Sequence, residues 1–261
     1  MMNLASFKAD YDVTKLGVCS YQDISAVHDG YSIPVNVYLP SVQNENGKKA
    51  VVCIHGGAWT SDLKKDSQWQ GSWMKHHAYL LSTLGYIGIE LTHRSIGVTD
   101  IDGVISDITA SLEYVQGVLR ARHGFDYVTV IGDSAGGHLA LMCAFTENKT
   151  LRPDKVVACN PVSDLTDPKW QLGTTHEEAR KRNSPLFFSD NTDTQITVMH
   201  GDADGTVPYS CSVALDSHLR SLGCECELIT LPGALHAFIL YGYRTPTEKV
   251  NEYMDILLGK I

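Results

Sequence analysis

The sequence lacks a surplus of positive charge and lacks any long apolar run. Its 21 Lys and Arg residues are outnumbered by 30 Asp and Glu residues, which gives a formal net charge of −9. A chain of this sign has no general electrostatic attraction for nucleic acid or for anionic lipid surfaces. No uninterrupted apolar stretch approaches the roughly 20 residues that span a bilayer. These absences exclude nucleic-acid and membrane partners and predict an ordinary soluble globular protein.

Paired cysteines and a recognisable leader are also missing. The seven cysteines are an odd number, and none falls in a C-x-x-C motif. Cys53, Cys143 and Cys159 stand inside apolar runs, where a thiol usually behaves as a small buried hydrophobic group. Residues 1–15 lack the basic and then apolar segments of a secretory signal. We therefore expect a reducing compartment and a cytoplasmic protein.

The sequence offers no recognisable metal site. It contains no H-E-x-x-H motif. Cys224 and Cys226 are spaced for one face of a strand, but no second pair is present to complete a zinc site. Neither a metal nor a cofactor is therefore predicted.

What the chain does contain is apolar residues arranged in alternating strand and helix patterns. Of its 261 residues, 43% are hydrophobic, and a chain of this size buries about 70% of its surface on folding. Helical periodicity marks 69–84, 102–122, 135–145, 209–222 and 246–258, while short apolar runs mark 50–54, 86–91, 127–131, 156–159, 196–200 and 225–230. This alternation predicts an α/β fold, a mostly parallel, twisted sheet with helices on both faces. We see no boundary between two cores and predict a single domain over residues 1–261.

Two segments depart from this alternation. Near the N-terminus, the runs 21–27 and 32–39 flank Asp29-Gly30, and an Asp-Gly pair favours a hairpin turn. Residues 164–195 form a long connection with only one short predicted helix, at 175–182. We name residues 164–195 the cap segment, because we expect them to form a small insertion over the edge of the sheet. Connections of this length in compact domains tend to be functional.

The candidate nucleophile lies in a G-x-S-x-G motif. Gly132-Asp133-Ser134-Ala135-Gly136 fits that pattern, although chance alone would place it in roughly one such chain in ten. Its context is more informative, since an apolar strand at 127–131 leads in and a helix starting near Ala135 leads out. A serine on such a strand-to-helix turn adopts a strained backbone conformation, and glycines on either side allow neighbouring segments to approach. Its hydroxyl then projects at a helix N-terminus, which favours developing negative charge.

A second motif offers donors for an oxyanion. His55-Gly56-Gly57-Ala58-Trp59 follows a predicted buried strand, and glycines without side chains allow backbone N–H groups to turn into a pocket. Gly57 and Ala58 would donate there, together with the N–H of Ala135. The plainer alternative is a tight turn after a strand with no chemical role.

A nucleophilic serine also requires a base and an acid. Of eleven histidines, only His236 lies in the predicted loop between the last strand and the last helix. His55 and His200 precede glycines at strand ends, where imidazoles usually serve as scaffold residues, and His138 lies one turn into the helix after Ser134. The stretch following His200 offers two carboxylates for the acid. The resulting order along the chain is serine, aspartate, histidine, which is expected for a hydrolase built on this type of sheet.

Taken together, these motifs resemble the α/β-hydrolase superfamily over roughly residues 20–258. Within it the chain is similar to the hormone-sensitive-lipase-like esterases and to compact bacterial acetyl and feruloyl esterases. The resemblance implies that Asp204 is the acid, since it fills the fourth position of His200-Gly-x-x-Asp204, with Asp202 next and Asp164 a distant third. Two departures stand out. Ala58 replaces the third glycine of the lipase-type motif, and His93-Arg94 stands where relatives usually carry Tyr-Arg.

The function expected from these features is a serine carboxylesterase acting on short acyl esters. The cap segment is short and rich in charge rather than a long apolar lid, so acetyl to butyryl esters are expected. Trp59 and Asp133 are predicted to line the substrate pocket, and an aromatic-lined mouth would suit acetylated sugars. The predicted partner is a small-molecule ester, and a homodimer is left open.

Three other functions share some of these features. An arylformamidase would share the H-G-G-x-W pattern and the triad but would cleave a formyl amide such as N-formylkynurenine. A peptidase of the prolyl-oligopeptidase type has a similar domain, yet only about fifty residues precede the first core strand, which leaves no room for a propeller. A receptor-like homologue without catalysis is the third alternative, and it is disfavoured because Ser134, Asp204 and His236 are all present.

Overall fold

The computed structural model describes residues 18–40, 44–60, 72–240 and 244–261. Within these ranges the chain forms one eight-stranded sheet with helices packed against it. The strands are β1 (Cys19–His28), β2 (Tyr31–Leu39), β3 (Lys49–Ile54), β4 (Ile87–Leu91), β5 (Tyr127–Asp133), β6 (Lys155–Cys159), β7 (Gln195–Gly201) and β8 (Cys226–Leu231). The helices are α1 (Ser72–Thr83), α2 (Ile101–Tyr114), α3 (Arg120–His123), α4 (Ala135–Ala144), α5 (Glu177–Arg182), α6 (Tyr209–Ser221) and α7 (Thr247–Leu258). Residues 69–71, where the first helix is predicted to begin, lie outside the described ranges.

The strand order confirms the predicted fold class. The strands lie in the order β1-β2-β4-β3-β5-β6-β7-β8. β1 pairs antiparallel with β2, and β2 pairs antiparallel with β4, whereas all pairs from β4 to β8 are parallel. The predicted hairpin is also confirmed, because Asp29 and Gly30 join β1 to β2 with φ of +49° and +77°. Positive φ at both central residues gives a turn whose twist matches that of the strands.

Alternate residues of the central strands enter two apolar cores on opposite faces of the sheet. On β3, Val52 and Ile54 pack with buried residues of α2, α4 and α6. Their neighbours Val51 and Cys53 pack with buried residues of α1 and α7. Because successive side chains of a strand point to opposite faces, a strand buried on both sides must be apolar throughout. The prediction of helices on both faces is confirmed.

The predicted single helix at 102–122 requires a correction. α2 ends at Tyr114, a π-helical turn spans Val115–Leu119, and α3 follows. Both ends of the turn, Val115 and Leu119, are fully buried. A π turn accommodates one additional residue in the helix, and both of these side chains stay in the core.

The cap segment connects β6 to β7 and contains α5 and a short 3-10 turn at Pro185–Phe187. Asn183 donates a hydrogen bond to Asp102 on α2, at 2.7 Å, and Arg182 forms an ion pair with the same carboxylate. These contacts fix the segment to the face of the sheet that α2 covers. Its description as a small insertion into a single domain stays a prediction.

All seven cysteines lie in the described ranges and carry free thiols. Cys53, Cys143 and Cys159 are buried, as expected from their apolar surroundings. Among the helices of these ranges, none combines the length and the apolar composition needed to cross a bilayer.

Candidate active site

Ser134 occupies the sharp turn between β5 and α4. Its backbone has φ +56° and ψ −117°, a conformation that costs an L-residue about 1–3 kcal/mol. The turn is so tight that a Cβ on Gly132 would lie 2.1 Å from the carbonyl oxygen of Gly136. A Cβ on Gly136 would lie 2.1 Å from the carbonyl oxygen of Ile54 at the end of β3. The predicted strained turn, and the need for glycine on either side of it, are therefore confirmed.

His236 and Asp204 meet this serine from two other loops at the same edge of the sheet. Asp204 follows β7, and His236 follows β8. Ser134 Oγ lies 3.0 Å from His236 Nε2, and His236 Nδ1 lies 2.7 Å from Asp204 Oδ2. Since the carboxylate can only accept, Nδ1–H donates to Asp204 and Nε2 is left to accept from the serine hydroxyl. The structure thus brings together three side chains that are 70 and 32 positions apart in the sequence.

Asp204 is held in its ionised form. Burial raises the pKa of this carboxyl group, but hydrogen bonds from His200 and His236 and from the backbone N–H of Thr206 lower it well below its ordinary value. The Thr206 and Val207 N–H groups donate to Oδ1 at 2.7 and 3.0 Å, and His200 Nε2 lies 3.2 Å from Oδ2. A carboxylate that accepts this many hydrogen bonds stays charged beside the imidazole.

The two alternative acids occupy other positions. Asp202 is exposed and accepts a hydrogen bond from the Gly233 N–H at 2.6 Å, which shapes the turn before His236. Asp164 accepts hydrogen bonds from the backbone and the hydroxyl of Thr166 at the start of the cap segment. The carboxylate that the structure brings to His236 is that of Asp204.

The loop after β3 approaches Ser134 with an unusual backbone. Gly57, Ala58 and Trp59 all have positive φ, at +109°, +53° and +59°. Gly57 and Ala58 line the same pocket as Ser134, and the N–H of Ala135 belongs to the first turn of α4, where N–H groups have no partner within the helix. Two of the three predicted donors therefore line the pocket of the serine, and the third belongs to the residue that follows it. Their role as an oxyanion hole stays a prediction.

Neighbouring groups hold this loop in place. His55 Nδ1 donates to the carbonyl oxygen of Gly56 at 2.7 Å, and the Ile96 N–H donates to the carbonyl oxygen of Trp59 at 2.7 Å. The ring of His55 stacks on that of His93 with centroids 4.9 Å apart. Burial, and after it the neighbouring His55, lowers the pKa of His93 to about 3. His93, the residue that departs from the Tyr-Arg pair of relatives, is thus a neutral packing surface for the loop.

Asp133 lines the pocket beside Ser134, as predicted, and is 2% exposed. Asn160 Nδ2 donates to its Oδ1 at 3.0 Å. Burial raises the pKa of Asp133 to about 6, against the opposing influence of His236 and of the Asn160 hydrogen bond. Asp133 is therefore a second carboxyl group in the site. Its surroundings disfavour the charged form, whereas those of Asp204 stabilise it.

The prediction for Trp59 is corrected. Trp59 is 1% exposed and packs in the core rather than among the residues that line the pocket. Its Nε1–H donates to His138 Nδ1 at 3.2 Å, and His138 Nε2–H donates to the carbonyl oxygen of Asn183 in the cap segment at 2.7 Å. Burial lowers the pKa of His138 to about 4, so the ring stays neutral and can both accept and donate. The indole joins the β3 loop to α4 and the cap segment instead of facing substrate.

The aromatic residue that does line the pocket is Trp170 of the cap segment, which the sequence reasoning missed. Its ring meets that of Trp59 edge to face, with centroids 5.8 Å apart. The pocket has a volume of about 430 Å³. Besides Trp170, its apolar lining includes Ala58, Met74, Ala237 and Leu240. Its polar lining includes Asp133, Ser134, Thr206 and His236. No local pattern marks Trp170, since it stands in an irregular segment.

Comparisons with known proteins agree with this geometry. A family model described as BD-FAE matches residues 35–169, half of the chain, which includes the β3 loop and Ser134. Esterase LipQ of Mycobacterium tuberculosis is 27% identical over 250 residues, which cover 82% of this chain and 57% of that protein. The same organism's probable carboxylic ester hydrolase LipM is 25% identical over 217 residues, which cover 72% and 49%. The chain therefore spans about half the length of these relatives.

A solved structure extends the likeness to nearly the whole chain. The native esterase Est2 of Thermogutta terrifontis superposes with a TM-score of 0.74 at 20% sequence identity, covering 98% of this chain and 96% of the other. At that identity the likeness concerns the fold. Together with the strand order, it shows that the chain has the α/β-hydrolase fold.

Proposed function

Because the chain belongs to the BD-FAE family of α/β-hydrolases, we propose that it is a serine carboxylesterase acting on short-chain acyl esters. The observation that carries the proposal is the hydrogen-bonded line from Ser134 through His236 to Asp204, with spacings of 3.0 and 2.7 Å. Such chemistry requires a nucleophile within hydrogen-bonding distance of a base, and an orienting acid within hydrogen-bonding distance of that base. The names of LipQ and LipM, an esterase and a probable carboxylic ester hydrolase, agree with this activity.

In the first half of the reaction, Ser134 Oγ attacks the carbonyl carbon of the ester while its proton passes to His236 Nε2. Negative charge develops on the carbonyl oxygen, and the N–H groups of Gly57, Ala58 and Ala135 stabilise it. Removing one donor of this kind costs about 2.7–4 kcal/mol of transition-state stabilisation. Asp204 remains ionised, keeps the proton on His236 Nδ1 and stabilises the imidazolium. His236 then protonates the leaving alcohol.

In the second half, water attacks the acyl-enzyme. His236 Nε2 takes the proton from the water, and the same N–H groups stabilise the second oxyanion. Collapse of that intermediate returns the proton to Ser134 and releases the carboxylic acid. Both halves of the reaction use the same catalytic groups, so each of these groups should be required in each half.

We propose that the acyl group is short, from acetyl to butyryl, and that acetylated sugars are among the substrates. In the part of the chain that the structure describes, the apolar side chains lining the Ser134 pocket are those of Ala58, Met74, Trp170, Ala237 and Leu240, a small set for covering a long acyl chain. The partner is thus a small-molecule ester. We further propose a cytoplasmic location, since the seven cysteines are free thiols and such usage is typical of a reducing compartment.

Covalent labelling tests the catalytic role of Ser134. A fluorophosphonate probe should label the wild type and fail to label Ser134→Ala, because only an activated serine reacts at a useful rate. Ser221→Ala, a change at an exposed serine distant in sequence, is the matched control and should label like the wild type. Equal labelling of Ser134→Ala would remove the basis of the proposal.

The chain-length proposal is tested with p-nitrophenyl acetate, butyrate and decanoate. We expect kcat/KM to be highest for the two short esters, and equal or better turnover of decanoate would contradict a short acyl pocket. N-formylkynurenine belongs in the same series. Turnover of this amide above that of the acetyl ester would identify an arylformamidase instead.

A further inference from the structure

A second pocket lies beside the Ser134 pocket and is formed by the cap segment together with the start of α2. Its volume is about 880 Å³, and its lining includes Asp100, Trp170, Gln171, Thr175 and Arg180. Trp170 lines both pockets. The two cavities therefore share one indole ring as a common wall.

The wall of this second pocket is fixed by a buried cation. Arg180 is 9% exposed, and its guanidinium donates to the backbone carbonyl oxygens of Asp167, Trp170 and Thr174. Hydrogen bonds from a charged donor are stronger than those between neutral groups. On the other side, Trp170 rests against the buried ring of Trp59 at an interplanar angle of 89°. The loop that separates the pockets is thus held both by its backbone and by its aromatic side chain.

The two pockets differ in chemistry. The Ser134 pocket has a mainly apolar lining suited to an acyl group. The second pocket combines the apolar side chains of Pro168, Trp170 and Leu172 with hydroxyl, amide and carboxylate groups. Asp100 can accept hydrogen bonds there, Gln171 can both accept and donate them, and Thr175 adds a hydroxyl. The one guanidinium in the lining already serves three carbonyl groups, so the pocket is better suited to hydroxyl groups than to an anion.

From this division we infer that the second pocket binds the alcohol half of the ester and selects alcohols that carry several hydroxyl groups. The inference rests on the proposed esterase function. An ester has two halves joined at the carbonyl group, and each half binds best where its polarity is matched. Trp170 offers an apolar face against which a ring can pack, and the polar side chains around it pair with hydroxyl groups.

The test compares two esters with the same acyl group and similarly sized alcohols. One is 6-O-acetylglucose, and the other is cyclohexylmethyl acetate, which has a six-membered ring without hydroxyl groups. The wild type should prefer the sugar ester in kcat/KM. In the double variant Gln171→Ala, Thr175→Val, the ratio of the two kcat/KM values should fall about ten-fold, as expected for two lost hydrogen bonds. Thr175→Trp, which fills the pocket, should lower the ratio at least as much.

The control is the double variant Gln22→Ala, Thr150→Val, which makes the same changes at exposed residues outside both pockets. It should keep the wild-type ratio. An unchanged ratio of the two kcat/KM values in the Gln171 and Thr175 variant would overturn the inference. An equal fall in kcat/KM for both esters would overturn it as well. If the Gln171 and Thr175 substitutions lower kcat/KM for p-nitrophenyl decanoate and not for the sugar ester, the pocket binds acyl groups and the inference is wrong.

These outcomes are distinguishable from a failure of the proposed function. A wild type that hydrolyses p-nitrophenyl acetate but does not distinguish the two ring alcohols contradicts only the inference. A wild type that hydrolyses no ester, including p-nitrophenyl acetate, contradicts the esterase proposal itself.

Discussion

The two sides of the candidate site are built by different means. One side, which we name the sheet-edge side, consists of the loops that follow β3, β5, β7 and β8 and present Gly57, Ser134, Asp204 and His236. Its positions follow from the backbone, because glycines at 132 and 136 allow contacts too close for any Cβ. The other side is the cap segment, whose loop is held by the side chain of Arg180.

The difference indicates which side can vary. A change in the sheet-edge side alters the parallel strands from which it emerges, and therefore alters the core. A change in the cap segment alters a few side-chain contacts and leaves the sheet intact. Reaction chemistry is thus expected to depend on the first side, and the choice of alcohol on the second.

The largest effect is expected for Asp204→Asn. An amide at this position can donate to His236 Nδ1 and so favours the wrong tautomer, which in a related triad lowers kcat by about 10⁴-fold. Steady-state kinetics with p-nitrophenyl acetate measures the loss. Asp202→Asn is the matched control, and we expect it to keep wild-type activity, since that carboxylate accepts from Gly233. Similar losses in both variants would mean that the acid has been misassigned.

A smaller effect, on stability, is expected for Asp133→Asn. Since burial raises the folded-state pKa of Asp133 to about 6 from 3.8, the wild type loses stability as the pH rises through this interval. Asparagine cannot ionise and can still accept from Asn160. The variant should therefore exceed the wild type in free energy of unfolding by about 3 kcal/mol at pH 7.5.

The sign of this effect is checked by urea unfolding at two pH values. The difference between variant and wild type should shrink towards zero below about pH 3, where the carboxyl group is protonated in both the folded and the unfolded chain. Asp202→Asn again serves as the control, with a change within about 0.5 kcal/mol expected for an exposed position. If Asp133→Asn is less stable than the wild type at pH 7.5, folding does not disfavour the charged form of Asp133.

Trp59→Phe probes the connection between the two sides. It removes the indole N–H and leaves His138 Nδ1 without its donor, and an unpaired buried acceptor costs about 1–3 kcal/mol. Urea unfolding should show this loss. Trp170→Phe, at a half-exposed ring, should cost less. If Trp170→Phe proves the more destabilising of the two, the buried hydrogen bond is not what joins the sides.

The smallest effect is expected for Arg180→Lys. Lysine keeps the charge but lacks the planar fork that reaches three carbonyl groups. We expect the kcat/KM ratio of 6-O-acetylglucose to cyclohexylmethyl acetate to fall about three-fold, in keeping with one weakened hydrogen bond. Arg220→Lys, at an exposed arginine paired with Asp216, is the control. A fall in kcat for p-nitrophenyl acetate instead would show that the cap segment also governs the chemistry.

The sequence was most informative where function depends on backbone geometry. Gly132, Ser134 and Gly136 could be placed because the strand before them and the helix after them leave one turn between. His236 could be placed because one histidine lay in the right loop. The choice of Asp204 over Asp202 drew on family resemblance, since two carboxylates two positions apart in a loop cannot be separated by pattern alone.

The sequence was least informative where function depends on contacts between side chains that are distant along the chain. Trp59 follows a recognisable motif, yet its indole N–H pairs with His138, 79 positions away, and the ring is buried. Trp170 has no local signal, and its place in the pocket depends on Arg180 and Trp59.

The sequence by itself determined the order of strands and helices, the strained serine turn and the loops at which reactive groups stand, because periodicity and glycine requirements are local properties of the chain. Only the tertiary structure decided which carboxylate reaches His236, which tryptophan faces the pocket and that a second pocket adjoins the first. Those outcomes depend on side chains that lie far apart in sequence and meet only when the sheet has formed, so no local pattern encodes them.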